Sequence, residues 1–501
     1  MSCDANIMAG LLVSLLVCVL CSCFVATAKL PNIVFVLVDD WGFADVGFRN
    51  PAISSPNFDH LAKTGLVLNR HYVFKYCSPS RASFLTGRWP HHAHQWNLPQ
   101  SDMAGTNLNM TMIPAKLKAA KYSTHMVGKW HQGFFDPRYL PINRGFDTSS
   151  GFLGGGEDHM TQEAECAIDY WKNDAPDPRN GTYDAYNYGD DLTDIMNNHN
   201  VNDPLFIYLP LHNVHAPLQA PDEWLNIYSV NSTCENRRTY QAMVSVADNV
   251  TGYLVQLLKK KGMWDNTIII ISADNGGAAC GGSNYPLKGC KGSFFEGGVR
   301  ALAFVNGGLL PESRRGESTD GFIHIADWYT TFCKLAGVDP DDSGTGKFPV
   351  DGLDVWPIIT GENEKTQHEE IVLGYNFDNV YPSQGAIIVN NYKLVVGLQG
   401  HGCDSLMWSA LDYPCSYGPE GPDCDPYCLY DIVNDPTEKK DLSKENPDML
   451  KKLVERYNSY SKEPRDMQDQ GYHSEDDIPK DPNACKYMAD NGGYWRPWKN
   501  I

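Results

Sequence analysis

The sequence is short of basic residues and lacks an internal repeat. Its 501 residues contain 41 Lys and Arg against 61 Asp and Glu, a formal net charge of −20. A chain this acidic is a poor binder of phosphate backbones, so we expect no nucleic-acid partner. The absence of a period of about 20 to 50 residues excludes solenoids and propellers. Hydrophobic residues make up 42% and aromatic residues 11%, which excludes a disordered chain and allows a large core.

Long apolar runs are also lacking, with one exception at the N-terminus. Residues 8–24 are almost wholly apolar, and residues 26–28 read Ala-Thr-Ala, which is typical of a signal-peptide cleavage site. The first ten residues contain Asp4 and no Lys or Arg, so an uncleaved signal anchor is the alternative. No second apolar run of about 18 residues follows. We therefore expect a signal peptide over 1–28, no stable membrane span after cleavage, and a secretory-pathway protein with a lysosomal or extracellular destination.

The cysteines fit the same oxidising compartment. Of 15 cysteines, those at positions 3, 18, 21 and 23 lie in the signal segment, and Cys77 is a candidate nucleophile. The remaining ten predict up to five disulfides of unassigned pairing. Cys424 and Cys428 lack the second Cys/His pair of a zinc site, which favours a disulfide. Sequons for N-glycosylation begin at Asn109, Asn180, Asn231 and Asn249.

Four short apolar runs without a period of two predict strands buried on both faces of a parallel sheet. The runs are 33–38, 123–127, 205–209 and 267–272. Each run is followed by polar residues. Because ligands bind outside the carboxyl ends of strands in open α/β sheets, we expect these residues to meet at one edge. In chain order they are Asp39 and Asp40, Lys129 and His131, His212 and His215, and Asp274 and Asn275.

The elements between and after these strands predict two domains. Helical patterns alternate with the strands up to about residue 375. Beyond that point the sequence predicts a β-hairpin over 386–396, loops rich in Cys and Pro, a helix near 447–460 and an irregular tail. We therefore expect a catalytic domain over 29–375 and a smaller C-terminal domain over 376–501. The predicted helices of the first domain are 57–64, 235–260 and 325–336.

The most specific motif lies in residues 77–88, which read Cys-Ser-Pro-Ser-Arg-Ala-Ser-Phe-Leu-Thr-Gly-Arg. A cysteine beside Lys75 and Arg81 fits either an activated thiolate or a buried or disulfide-bonded cysteine. The pattern Cys-x-Pro-Ser-Arg at 77–81 with Leu-Thr-Gly at 85–87 resembles the signature of the sulfatases, whose cysteine is converted to formylglycine. Further motifs of that family follow in the family's order. They are 38–40, 128–131, 144–147, 214–218, 274–277, Lys291 and 296–300.

The resemblance covers residues 30–460 and is greatest to the arylsulfatase B branch, the N-acetylgalactosamine-4-sulfatases. It implies an α/β fold of the alkaline-phosphatase type, with a large mixed sheet sandwiched by helices and a smaller C-terminal α+β domain. It also implies hydrolysis of sulfate monoesters, and a formylglycine-generating enzyme as partner during biosynthesis. The expected substrate is an aryl sulfate or a sulfated saccharide, most specifically N-acetylgalactosamine units of glycosaminoglycans or related sulfated polysaccharides.

The resemblance assigns roles to individual residues. Cys77, as formylglycine, would hydrate to a gem-diol; one hydroxyl attacks sulfur, and loss of the second proton then expels sulfate. Arg81 lies four residues later, on the same side if the segment is helical, and would steady the diol and the metal ligands. The other matches are Lys129 and Lys291 at the sulfate oxygens, His131 at the diol proton and His215 at the leaving oxygen.

Asp39, Asp40, Asp274 and Asn275 form an all-oxygen set from two strand ends. Hard oxygen ligands favour Ca²⁺ or Mg²⁺ over zinc. The resemblance favours one Ca²⁺, with the converted Cys77 completing the site. Taken singly, an Asp-Asp or Asp-Asn pair is equally typical of a solvated turn.

Two segments resemble other motifs and are interpreted as structural. The His-His-Ala-His tract at 91–94 lacks a carboxylate partner in register. The three glycines at 154–156 lack the Lys-Ser/Thr of a phosphate loop and predict flexibility near the substrate mouth.

Two other functions remain open at this point: a phosphoester hydrolase of the same superfamily and a non-catalytic extracellular matrix protein that binds polysaccharide. The complete Cys-x-Pro-Ser-Arg pattern opposes the first, and the filled catalytic positions oppose the second. We expect substrate choice to depend on loops 152–187, 276–290 and the segment after 400.

Overall fold

The structure is a computed structural model that describes most of the chain after the predicted signal peptide. Among the sequon asparagines, Asn109 and Asn249 are exposed, whereas Asn180 and Asn231 lie outside the described residues. The segment 1–28 also lies outside them. No helix in the described part of the chain is long and apolar enough to cross a membrane. The described residues are 29–499 except 95, 180, 230–234, 280, 343–347, 366, 376–383, 400–423 and 461–477.

The strands are numbered in chain order. They are β1 (Asn32–Val38), β2 (Leu66–Leu68), β3 (His71–Tyr72), β4 (Ser123–Val127), β5 (Thr148–Gly151), β6 (Glu163–Ala164), β7 (Ala167–Ile168), β8 (Trp171–Lys172), β9 (Ala175–Pro176), β10 (Leu205–Leu211), β11 (Thr267–Ala273), β12 (Arg300–Ala301), β13 (Ala303–Asn306), β14 (Glu317–Thr319), β15 (Ile323–His324), β16 (Glu370–Tyr375), β17 (Gly385–Val389), β18 (Tyr392–Gly397) and β19 (Cys424–Asp431).

The helices are numbered in the same way. They are α1 (Pro56–Lys63), α2 (Cys77–Thr86), α3 (Ile113–Ala119), α4 (Asp184–Asn198), α5 (Asp222–Leu225), α6 (Glu235–Lys260), α7 (Glu296–Val299), α8 (Asp327–Leu335), α9 (Trp356–Thr360), α10 (Pro447–Ser459) and α11 (Ala484–Asp490). Short 3-10 helices lie at Pro137–Tyr139, Pro141–Arg144, Trp264–Asn266 and Glu312–Arg314.

The four predicted buried strands form the centre of the largest sheet. Its ten strands run in the order β14-β2-β13-β11-β1-β10-β4-β5-β8-β9. Strand β1 lies between β10 and β11 and is parallel to both, and β4 is parallel to β10. Strand β13 is antiparallel to β11, so the sheet is mixed. The large mixed sheet confirms the predicted fold class. The apolar runs of its central strands lack alternation because these strands are covered on both faces.

Helices cover this sheet in two groups. Helix α6 contacts α1, α4 and α5, whereas α2, α3 and α8 contact one another. Phe35 of β1 stacks on Phe84 of α2 with ring centroids 4.0 Å apart, and it meets Phe332 of α8 edge-on at 6.2 Å. Full burial of such a side chain stabilises the fold by about 1.5–3 kcal/mol. The aromatic contacts therefore hold the helix that begins at Cys77 against the sheet.

The predicted C-terminal hairpin and helix are present. Strands β17 and β18 form the hairpin inside the antiparallel sheet β16-β17-β18-β19, and Tyr457 of α10 packs on Tyr375 of β16. Strand β16 begins at Glu370, before the boundary predicted at 375, so the small sheet starts within the predicted catalytic domain. The described residues from Pro31 onward form one compact unit. The division into two domains at that boundary stays a prediction.

The tail, predicted to be irregular, contains α11 and returns to the edge of the large sheet. A disulfide joins Cys166 to Cys485 across 319 residues of sequence. The indole Nε1 of Trp171 donates to the carbonyl oxygen of Trp495 at 2.7 Å, and the Trp495 side chain is fully buried. The tail therefore fixes the loop that precedes α4.

The disulfide predictions are partly right. The disulfide predicted between Cys424 and Cys428 is confirmed. Not all ten of the remaining cysteines pair, because Cys333 is a free thiol. It lies on α8 with its side chain completely buried, and burial raises its pKa to about 12. Cys333 therefore contributes to the core as a small apolar side chain.

Candidate active site

The carboxyl ends of the central strands meet at one edge, where the sequence predicts the site. The backbone N–H of Asp39 donates to the carbonyl oxygen of Asn213 at 2.9 Å, and Val214 N–H donates back to Asp39 at 2.7 Å. On the other side of β10, Lys129 N–H donates to Pro210 at 2.8 Å. These bonds join the ends of β1, β4 and β10, so the side chains that follow each strand converge.

A tight turn brings the end of β4 to this edge. Gly128 has φ +126°, and a Cβ on it would lie 2.0 Å from the carbonyl oxygen of Pro210. Only glycine fits a backbone approach of this kind. The turn delivers Lys129 and His131 to the same edge as Asp39.

Cys77 is the first residue of α2, and every residue of this helix is buried. The Cys77 thiol donates to Asp39 Oδ1 at 3.2 Å. One turn later, Arg81 also faces the strand ends, with Nη2 at 3.5 Å from Asp39 Oδ2. The helix ends at Gly87, whose φ of +70° is the left-handed conformation common after a helix. The structure thus brings Cys77 and Arg81 to one side, as expected from their spacing.

Three cations surround the carboxylates at the strand ends. Arg81 donates from Nη2 to Asp274 Oδ2 at 2.7 Å, and Lys129 donates from Nζ to Asp39 Oδ2 at 2.6 Å. Lys291 donates from Nζ to Asp40 Oδ2 at 2.8 Å. The predicted sulfate-contacting and metal-ligating residues therefore lie together. We call the six residues that share these contacts the Asp39 cluster: Asp39, Asp40, Arg81, Lys129, Asp274 and Lys291.

The fifth predicted ligand, Asn275, has an oxygen without a partner. Its Nδ2 donates to Asp40 Oδ1 at 2.8 Å, whereas its Oδ1 is buried and accepts no hydrogen bond. A buried polar atom of this kind calls for a missing partner. Together with the buried carboxylates of Asp39 and Asp274, it makes an all-oxygen donor set that fits a divalent cation. Asp39 and Asp40, with Cys77 and His215, form one of the groups able to hold a metal ion.

Burial and charge shift the pKa values in the Asp39 cluster in opposite directions. Burial raises the pKa of Asp274 to about 7, and the negative charge of Asp39 adds to this effect. Burial also opposes ionisation of Asp39, but the charges of Lys129 and other cations hold its pKa well below the usual value. Asp39 therefore stays ionised over the pH range in which Asp274 titrates.

The thiol of Cys77 is not activated as it stands. Burial raises its pKa well above the ordinary value, and the charge of Asp39 raises it further, despite Lys129 and Lys291. A thiol that stays protonated is a poor nucleophile. This disfavours the thiolate alternative and leaves a buried cysteine or a modified side chain at position 77.

The two predicted catalytic histidines have defined tautomers. His215 Nδ1 lies 2.6 Å from the carbonyl oxygen of Ala216, so this nitrogen carries a proton and Nε2 faces Asp40 Oδ2 at 3.9 Å. His131 Nε2 donates to the carbonyl oxygen of Leu98 at 2.9 Å, and its buried Nδ1 has no partner. Burial lowers the pKa of both histidines, and nearby lysines lower it further. His131 therefore presents an unpartnered Nδ1, and His215 presents Nε2, which lies 3.9 Å from Asp40 Oδ2.

Two of the three glycines at 154–156 pack against these histidines. A Cβ on Gly155 would lie 2.8 Å from His131 Nε2, and one on Gly156 would lie 3.2 Å from the His215 ring. We had expected these glycines to provide flexibility; the structure adds a steric reason, because the loop approaches both rings closely.

The histidine tract at 91–94 has partners in the fold. His92 Nδ1 lies 2.8 Å from an oxygen of Asp351, and His94 Nε2 lies 3.4 Å from Ser78 Oγ. Ser78 Oγ in turn donates to the carbonyl oxygen of His131 at 2.9 Å. The tract therefore supports the segment beside Cys77, in line with its structural interpretation.

Sequence reasoning missed two residues behind His215. His159 and Asp184 form a buried group with His212, which the sequence marks at the end of β10. His159 lies on a loop and Asp184 begins α4, so no spacing rule connects them to each other or to the strand end. Only the folded chain reveals the contact.

The chain matches known proteins over most of its length. The Sulfatase family model matches residues 31–338. Arylsulfatase J of Mus musculus is 34% identical over 93% of this chain and 80% of its own length. N-acetylgalactosamine-6-sulfatase of Homo sapiens is 30% identical over 66% of each chain. The crystal structure of Ps i-CgsB in complex with k-i-k-neocarrahexaose is 30% identical, with a TM-score of 0.73 over 86% of this chain and 93% of that one. The convergence of strand ends on Cys77 and these matches lead to one conclusion: the chain belongs to the sulfatase family and is a sulfuric ester hydrolase.

Proposed function

We propose that the protein removes sulfate from a sulfated saccharide, using formylglycine formed from Cys77. The observation that carries this proposal is the position of the Cys77 side chain. Its Sγ lies 3.2 Å from Asp39 Oδ1, at the start of α2 and beside three cations. This sulfur stands in for the oxygen of the converted side chain. Formylglycine, as its hydrate, supplies one hydroxyl to attack sulfur and a second whose deprotonation releases sulfate.

Lys129 and Lys291 are suited to hold the sulfate group. Their Nζ atoms lie 2.6 and 2.8 Å from carboxylate oxygens of Asp39 and Asp40, and Lys129 is fully buried. In a site that excludes water, a fixed cation stabilises developing negative charge more than it would in solution. Both ammonium groups would neutralise the oxygens of the transferred group, while Arg81 orients Asp274.

His215 is suited to protonate the leaving oxygen. Its Nδ1–H is held by the carbonyl oxygen of Ala216, so Nε2 must take up a proton before it can give one to the substrate. Burial and the nearby lysines lower the pKa of this ring, and the negative charge of a bound sulfate ester would offset them. Its side chain is 22% exposed, so a saccharide can reach it. A sugar alkoxide is a poor leaving group and needs this proton.

His131 is suited to take a proton on the inner side of the site. Its Nε2–H is fixed by Leu98, and its unpartnered Nδ1 is free to accept. Its depressed pKa keeps the ring neutral, as a proton acceptor must be. We assign it the proton whose removal releases sulfate.

The proposed resident ion is one Ca²⁺, held by Asp39, Asp40, Asp274 and Asn275 together with the converted residue 77. The fit rests on the oxygen donors and on the unpartnered Asn275 Oδ1. When bound, the ion supplies a positive charge that favours an ionised hydroxyl and a polarised sulfate oxygen.

For the substrate, we propose sulfated N-acetylgalactosamine in a glycosaminoglycan or a related sulfated polysaccharide. One relative is named an N-acetylgalactosamine-6-sulfatase, and one similar structure holds a neocarrahexaose. The 4-sulfate preference of the arylsulfatase B branch stays a prediction. We also propose synthesis through the secretory pathway, with a formylglycine-generating enzyme as partner and a lysosomal or extracellular destination.

Two measurements test this function. Mass spectrometry of the peptide that contains residue 77 should show an aldehyde or its hydrate in place of the thiol. Purified protein should release sulfate from defined sulfated N-acetylgalactosamine saccharides and leave the matched phosphate esters uncleaved. A retained thiol in protein that still turns over would refute the formylglycine assignment, and faster cleavage of phosphate esters would favour a phosphoester hydrolase.

A further inference from the structure

A second group of titratable side chains lies directly behind the proposed leaving-group acid. Asp184 Oδ2 lies 2.9 Å from His159 Nδ1 and 2.7 Å from His212 Nδ1. The two imidazole rings stack with centroids 3.9 Å apart. All three side chains are completely buried. We call this group the Asp184 cluster; none of its members has a role in the mechanism given above.

The Asp184 cluster reaches His215 through the backbone. His159 Nε2 lies 3.1 Å from the carbonyl oxygen of His215, and a carbonyl can only accept, so Nε2 carries a proton. The carboxylate of Asp184 also accepts, so Nδ1 carries a second proton. His159 is therefore an imidazolium; burial opposes its charge, but Asp184 more than compensates and raises its pKa.

His212 completes the support and stays neutral. Burial and the charge of His159 lower its pKa to about 4. Its backbone carbonyl oxygen accepts from His215 N–H at 3.0 Å, and its ring centroid lies 5.8 Å from that of His215. The backbone of His215 is thus held at its N–H by His212 and at its carbonyl by His159.

Stability alone does not explain the buried ion pair between His159 and Asp184. Removing two charges from water costs more than their attraction commonly returns, so apolar residues of similar volume would stabilise the fold as well. What apolar residues would not provide is a charged N–H donor aimed at the carbonyl of His215. Hydrogen bonds from ionised donors are shorter and stronger than neutral ones, and they restrict orientation.

We propose that Asp184 and His159 are positioning residues for His215. The Asp184 carboxylate keeps His159 protonated, and His159 fixes the carbonyl of His215, so that Nε2 of His215 stays directed at the leaving oxygen. This inference rests on the proposed function, in which His215 protonates the leaving alcohol.

Two substrates with different leaving groups can distinguish the positioning of His215 from general support of the fold. A sugar alkoxide must be protonated as it departs, whereas 4-nitrophenolate departs readily without a proton. A misplaced acid therefore slows cleavage of a saccharide sulfate and hardly affects 4-nitrophenyl sulfate. Loss of general acid catalysis amounts to about 10²–10⁴-fold in rate, which sets the largest effect to expect.

The test compares kcat and KM for both substrates in His159→Leu, His159→Gln and the wild type. His159→Leu removes the donor, and we expect kcat for the saccharide sulfate to fall by at least about 10-fold, with 4-nitrophenyl sulfate changing by less than about 3-fold. His159→Gln keeps an amide N–H for the carbonyl and should recover part of the lost rate. Asp184→Asn removes the charge that keeps His159 protonated and should resemble His159→Leu.

The matched control is a second buried histidine–aspartate pair. His368 Nε2 lies 2.9 Å from Asp327 Oδ2, and neither residue has a place in the proposed mechanism. His368→Leu should lower the melting temperature, with activity per folded molecule unchanged on both substrates. Each variant is compared after its folded fraction has been measured by circular dichroism.

Three outcomes overturn the inference. Equal loss on both substrates in all folded variants of His159 and Asp184 would mean general support of the fold. Undiminished saccharide activity in those variants would mean no role for the pair. A transition metal present at one ion per wild-type chain and lost in His212→Leu would make the Asp184 cluster a metal site. If the wild type cleaves neither substrate, the proposed function fails, and the inference fails with it.

Discussion

Two of the buried groups of opposite charges in this protein differ in a way that separates chemistry from structural support. One is the Asp39 cluster at the strand ends. The other, which we call the Lys393 cluster, consists of Lys393, Glu296 and Glu438. Lys393 Nζ lies 2.9 Å from Glu296 Oε1 and 3.0 Å from Glu438 Oε1, and none of these side chains is exposed. It joins α7 to β18 of the small sheet.

The two groups differ in whether a ligand could reach their polar atoms. In the Lys393 cluster, Glu438 Oε2 accepts from the backbone N–H of Glu296 at 2.7 Å. Its Oε1 accepts no hydrogen bond but lies 3.0 Å from the Lys393 ammonium, and all three side chains are closed off from solvent. Beside the Asp39 cluster, Asn275 Oδ1 has no partner, and Lys291 is 17% exposed. A charged group sealed from solvent holds elements together, whereas a partly exposed cation beside an unpartnered oxygen at a strand end can bind a ligand.

The largest effect should come from Cys77→Ser. Serine escapes conversion to formylglycine, yet its single hydroxyl lies beside Asp39 and can attack a sulfate ester once. The serine sulfate has no second hydroxyl on the same carbon, so we expect steady-state turnover to fall by at least about 10³-fold.

Intact-mass spectrometry should then find a slowly formed sulfate adduct on the peptide containing residue 77 and none on the wild-type peptide. Thermal unfolding should change little. Near-normal multiple turnover, in protein free of wild-type contamination, would contradict the mechanism.

Lys291→Ala should come next and should affect activity without a comparable effect on folding. Loss of one fixed charge at the developing anion is expected to lower kcat by about 10²–10³-fold. Lys440→Ala, in an exposed pair with Glu445, is the control with the same change and should leave both activity and melting temperature unaltered. Equal losses of kcat in Lys291→Ala and Lys440→Ala would show that the effect is not specific to the Asp39 cluster.

Lys393→Met should show the opposite pattern. It leaves the carboxyl groups of Glu296 and Glu438 buried without their cation, which destabilises a fold by about 3–5 kcal/mol. Denaturant unfolding should record this loss, while activity per folded molecule at low temperature should stay near that of the wild type. A stable but inactive variant would show that the Lys393 cluster takes part in the reaction.

The smallest expected effect is a change in the pH dependence of stability, caused by Glu438. Burial, together with the charge of Glu296, raises its pKa to about 7 against the opposing charge of Lys393. Because the folded pKa exceeds that of the unfolded chain, the contribution of Glu438 to stability is present at pH 4.5 and is lost as the pH rises through 7. Glu438→Gln lacks this dependence, so its melting temperature relative to the wild type should increase by a few degrees between pH 5 and pH 8. A constant difference over that range would argue against the raised pKa.

The sequence predicts the centre of the molecule well because burial there leaves a simple pattern. Strand β11 contains four consecutive isoleucines and has no polar face, so its burial follows directly. The same holds for α6, whose predicted bounds, 235–260, match the structure. Family motifs then assign candidate chemistry to residues that follow these strands.

The remaining features depend on contacts that sequence spacing does not encode. Asn275 is an ordinary turn residue until the fold leaves its oxygen unpartnered beside Asp40. Cys166 pairs with a cysteine 319 residues away, and Cys333 pairs with none. Each outcome depends on which surfaces meet, and a count of cysteines carries no such information.

The burial of Cys77 has a consequence for the timing of biosynthesis. In the folded chain its side chain is 0% exposed, beneath the ends of β1 and β11, so an enzyme that oxidises it must act before these strands close over it. Strand β11 and Cys485 follow Cys77 in the chain, and the disulfide to Cys166 waits for Cys485 to be synthesised. The long interval between residues 77 and 273 would therefore give the proposed formylglycine-generating enzyme its period of access, and a chain that folds around an unmodified cysteine would stay inactive.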